Sequence, residues 1–115
     1  SERMLEFAVR IGKGVDALPN SRLGRHVGGQ LVAAGTSPGP NYEEGCAAES
    51  RADFVHKLSI CLKELRESRY GVRLIIKAEL LPEKKMGDLL DESTQLCKII
   101  GQSIVTAKEK RGKQK

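Results

Sequence analysis

Asp53, Lys57, Glu64 and Glu67 recur at helical steps along one stretch, and of all the residues in the chain these come nearest to a site. Steps of three and four put such side chains on adjacent turns of one helix face, within reach of one another. Asn41 and Glu44 join them if the preceding helix packs antiparallel. The set is either a polar site inside or between bundles, or a salt-bridge network that fixes register. Buried charge is costly unless fully paired, so the network is the preferred reading: it specifies one arrangement more than it adds stability.

Other reactive residues fit chemistry less well. Asp53 and His56 stand three apart, the spacing of half a di-metal bundle site. Such a site needs the motif from a second helix and two further carboxylates. The other histidine, His26, has Leu23 three residues before it, so no metal is expected. Cys46, Cys61 and Cys97 are odd in number and lack C-x-x-C spacing. Cys61 and Cys97 fall on apolar helix faces with no activating histidine nearby in sequence. A reduced compartment without a structural disulfide follows. The glycines of 24–29 and 35–45 follow no strand and form no phosphate-binding fingerprint; close helix packing accounts for them. Neither a catalytic set nor a cofactor is expected.

Basic residues remain. Arg22, Arg25 and His26 cluster at one helix start. Lys108, Lys110, Arg111, Lys113 and Lys115 crowd the last eight residues against Glu109, a net of +4. The whole chain carries +5, so the other 107 residues carry only +1. Charge focused in this way can hold RNA or DNA with marked salt sensitivity, or can merely keep an end solvated. No aromatic residue interleaves with these cations to stack on bases.

The elements that position these residues are helical. The third and longest spans Ser50 to about Leu80. Phe54, Leu58, Cys61, Leu62, Leu65, Val72 and Ile76 mark its apolar side, and Ser50 to Asp53 forms its capping box. The first covers residues 3–18, with Met4, Ala8, Ile11, Val15 and Leu18 on one stripe and Leu5 beside it. The second starts at Ser21 and carries Leu23, Val27, Leu31 and Ala34, with Gln30 on the same stripe. Pro38 and Pro40 predict a kink or break between Gly35 and Asn41, with Ser37 capping a restarted turn. The fourth begins near Glu83 and buries Met86, Leu89, Leu90, Ser93, Leu96, Cys97, Ile100, Ile104 and Ala107. One domain (1–107) is therefore expected as an all-α, up-down antiparallel four-helix bundle, followed by a flexible, disordered basic tail (108–115). No window reaches the roughly 18 apolar residues of a membrane span, and no secretion leader is visible, so a cytoplasmic protein without membrane contact is expected.

Two segments carry a resemblance. GTSPGPNYEEG (35–45) and SRADFVHKLSICLKELRES (50–68), with Gln30-Leu31 before them, resemble the small four-helix bundle proteins encoded in intervening sequences of bacterial 23S ribosomal RNA genes. The resemblance covers residues 3–107. It implies an up-down bundle assembled as a ring-shaped homopentamer, with nucleic-acid interaction suspected. Two positions depart: Pro38 replaces an Ile or Val, and Gly71 replaces the second member of an aromatic pair after Tyr70. The first questions the continuity of the second helix; the second questions the packing late in the third. Function is thus expected as a non-enzymatic oligomer holding RNA or DNA. The alternative is a protein-binding scaffold that uses exposed Phe7, Val55, Leu74 or Ile75.

Overall fold

The longest apolar stripe sits on α4 (Arg51–Lys77). Ser50 starts it: its hydroxyl accepts the Asp53 amide at 3.1 Å. The computed structural model describes the backbone of residues 1–113 and the side chains of residues 1–110. Every regular element among them is a helix: α1 (Glu2–Asp16), α2 (Arg22–Thr36), α3 (Pro38–Cys46), α4 and α5 (Glu83–Lys113).

Each helix packs its stripe against its neighbours. α1 lies on α2 and α5, and α4 lies on α5 and on the α2–α3 rod. Four rods thereby close around one core in a body of 53 × 22 × 19 Å. Phe7, Ile11, Leu58, Leu65, Val72, Ile75 and Ile100 are fully buried in it. Two small hydroxyl residues, Ser68 and Ser93, are buried with them. Each satisfies its hydroxyl within its own helix, Ser68 on the Glu64 carbonyl (2.9 Å) and Ser93 on the Leu90 carbonyl (2.7 Å).

The expected kink falls at Ser37, where α2 ends and α3 begins with Pro38 in its first turn. The cap geometry differs from expectation. Ser37 stays in right-handed helical space and makes no forward side-chain cap; its hydroxyl donates back to the Ala33 carbonyl at 2.8 Å. The missing Pro38 and Pro40 N–H groups loosen one turn without reversing the chain.

Several other expectations are corrected. Phe7, Val55 and Ile75 are core residues, and Leu74 is half-buried, so none of these is the exposed contact surface anticipated. α1 instead turns Leu5 to solvent, and α2 does the same with Leu23 and Gln30. α4 stops at Lys77, short of Leu80. Glu79 adopts left-handed φ (56°), and the Leu80 and Glu79 amides donate back to the Ile75 and Ile76 carbonyls, each at 3.0 Å. That is a Schellman ending made without glycine. At the other end of the chain the backbone is helical to Lys113, where polar composition predicted disorder. Residues 108–111 contain no helix breaker, so α5 runs past Ala107, its last buried residue among the described side chains. The remaining tail residues lie outside the described part.

Candidate nucleic-acid interface

The six residues expected as a polar network do not converge. Lys57 reaches Glu44 at 2.8 Å, joining α4 to α3 on the surface. Asn41 donates its side-chain amide to the Ser37 carbonyl (3.1 Å), one turn back across the kink. Asp53 is exposed at the start of α4. Glu64 and Glu67 line a groove between α2 and α4, and no ion pair reaches them among the described residues. One exposed pair of this kind contributes about 0–1 kcal/mol and sets no elaborate register.

A bidentate cross-bundle ion pair lies elsewhere. Arg3 on α1 donates two hydrogen bonds, of 2.8 and 2.7 Å, to the carboxylate of Glu92 on α5. These bonds hold the Glu92 carboxyl below its ordinary range, against an opposing effect of partial burial. The partners are 89 residues apart, and no local pattern signals such a contact.

Asp53 and His56 are both exposed, and among the described residues no three His, Cys, Asp or Glu side chains converge as metal ligands. All three cysteines are free. Cys61 is buried, and burial pushes its thiol up to about 12, far from thiolate reactivity. Burial also raises the half-buried Cys97 thiol, opposed by the positive charges of Arg66 and Arg69 beside it.

That opposition points to a feature hidden in the sequence pattern. Arg66, Arg69, Arg73 and Lys77 recur along α4 at steps of three and four, on the edge next to α5. Arg69 donates to the Thr94 hydroxyl on α5 at 3.0 Å. Arg66, Arg73 and Lys77 are exposed, and no ion pair engages them among the described residues. At 1.5 Å per residue the row spans about 16 Å of helix axis. Its periodicity was readable, but Glu67 falls within the row in sequence and Glu64 just before it, which hides the one-sided charge.

Arg22 is exposed at the first turn of α2. Arg25 is partly committed, donating to the Asn20 carbonyl (3.2 Å) and side-chain oxygen (3.0 Å) at the turn before α2. Lys108 and Lys110 are exposed at the end of α5; the side chains of Arg111, Lys113 and Lys115 lie outside the described residues.

With this geometry in hand, comparison with known proteins decides the ancestry. Residues 1–102 match the family model of the 23S rRNA-intervening sequence protein. The chain belongs to that family. A similar solved structure is a protein of unknown function from the S23 ribosomal protein family of Bacteroides thetaiotaomicron. It is 36% identical, with a TM-score of 0.82 over 90% of this chain and 95% of that one. No functionally curated protein matches.

The two departures anticipated for a member of the 23S rRNA-intervening sequence family can now be placed. Pro38 is buried inside a continuous but kinked rod. At Gly71 a Cβ would stand 3.0 Å from Leu31 Cδ1, so α2 already fills the space and packing there is tight. Among the described residues no helix is long and apolar enough to cross a membrane.

Proposed function

We propose that this family member is a non-enzymatic, ring-forming homo-oligomer, a pentamer, that holds RNA or DNA on its basic surface. One observation carries the nucleic-acid part: the α4 edge presents Arg66, Arg73 and Lys77 to solvent without acidic partners among the described residues. Unpaired cations in a row suit a phosphate backbone, because each releases condensed counterions on binding. Lys108 and Lys110 add charge at the end of α5, and Arg22 adds it at the start of α2. Five copies of the last eight residues would focus about +20 on one particle.

Exposed apolar side chains support assembly. Leu5 (59% exposed) and Val9 (49%), one turn apart on α1, and Val32 on α2 are apolar side chains that folding leaves in water. Ring closure needs two complementary patches on each copy. Ile99 and Val105, exposed on α5, offer a second. The same side chains favour a second reading, a protein-binding scaffold with no affinity for nucleic acid.

Filter retention of a structured RNA from low to high salt separates the two. The nucleic-acid reading predicts binding that weakens linearly in log salt, and a slope shallower by about 0.7–0.9 for each phosphate that a variant no longer neutralises. Deleting residues 108–115 must weaken binding. No retention at low salt leaves the scaffold reading; retention with a curve unchanged by the deletion excludes the tail and leaves binding to the α4 edge.

A further inference from the structure

We infer that the groove between α4 and α5 takes an unpaired base of a single-stranded nucleic acid on the Tyr70 ring, with Arg66, Arg73 and Lys77 on the adjoining phosphates. This rests on the nucleic-acid reading above and gives it a site.

Tyr70 is the aromatic residue that the core does not use. Phe7 is buried, and Tyr42 and Phe54 pack against the core cluster, whereas Tyr70 is 67% exposed. Keeping a large ring in water has no stabilising return for the isolated bundle. The ring borders the α2–α4 groove lined by Glu64 and Glu67, and it also lines a groove of about 540 Å³ together with Leu74, Ile76 and Leu90. Arg73 and Lys77 border this groove; Glu83, from the first turn of α5, is its acidic member. An aromatic face next to a row of cations is the combination that single-strand binding requires: the cations track the phosphates and the ring stacks a base.

Chemistry selects the strand type. In a duplex each base is paired and stacked, so a ring fixed on a helix surface reaches only backbone. An unpaired base offers its π-face to Tyr70, and stacking of this kind tolerates any base. The apolar groove walls then cover the base edge that stacking leaves open.

The test uses the full chain, a fluorescein-labelled oligouridylate and an abasic strand with the same number of phosphates, read by anisotropy at low salt. The wild type should bind the oligouridylate about tenfold more tightly than the abasic strand. Y70A should remove that preference and leave abasic binding unchanged, while Y70F should retain it. Y70A is a surface change, and its folding is checked by circular dichroism. Replacing Arg73 and Lys77 by Ala should weaken both strands alike. Equal wild-type affinity for the two strands overturns the site, as does a preference that survives Y70A; both leave electrostatic nucleic-acid binding standing. If neither strand binds the wild type at low salt while a structured RNA is retained, the site fails and the nucleic-acid reading stands; if the structured RNA is not retained either, both fail.

Discussion

Glu79 holds a backbone conformation that L-residues adopt at a cost, φ 56°, because the chain must leave α4 and reach Pro82 within a few residues. Glycine would adopt it without a Cβ clash. Glu79→Gly should therefore stabilise the fold by about 0.5–1 kcal/mol after allowing for its freer unfolded chain, as measured by urea denaturation. Glu92 gives a prediction with a pH signature. Arg3 lowers its carboxyl in the folded state, so its stabilisation is complete above the ordinary carboxylate range and fades as pH falls through the lowered value. Glu92→Gln should melt below wild type at neutral pH, and the gap should close in acid. Neither residue was legible in advance. Glutamate at a left-handed cap breaks the glycine rule, and a contact spanning 89 residues leaves no local trace. The cysteines were legible, because Cys61 and Cys97 obey the same periodicity as their leucine neighbours.

Helices meet at glycine where the bundle is tightest. A Cβ on Gly35 of α2 would come within 2.7–3.0 Å of three Ile11 side-chain atoms of α1, its Cβ among them, and that atom cannot swing aside. Gly35→Ala should cost about 1–3 kcal/mol, as overpacking does. Gly29, also on α2, would meet nothing within 4 Å. Gly29→Ala should instead stabilise by about 0.5–1 kcal/mol through helix propensity. Thermal melts of the two variants check the contrast in sign. Sequence could say that these glycines weaken the helix; only the partner helix says which of them is needed. Helix existence and most of the buried face of α5 followed from periodicity alone. The kink followed from Pro38 and Pro40. The α4 stripe was shifted in part, since 27 residues at 3.6 per turn drift across the surface, bringing Val55 and Ile75 inward and leaving Phe54 and Ile76 at the margin.

At the scale of the molecule, the bundle closes its core as one chain and leaves two kinds of surface unaccounted for by folding. One is apolar, on the α1–α2 pair and on α5; the other is the cationic edge of α4 with Tyr70. Fold class was readable because four amphipathic stripes can hide only against each other. The candidate site was not, because Asp53, Glu64 and Glu67 share α4 with the basic row. Which of them find partners depends on α3 and α5. Assembly and nucleic-acid binding are joined in one particle by this account. Native mass spectrometry of the purified chain, with and without a structured RNA at low salt, tests both together. A pentamer mass that shifts by whole RNA copies and reverts at high salt is expected. A monomer mass at micromolar concentration, or an assembly that never gains RNA at low salt, contradicts it.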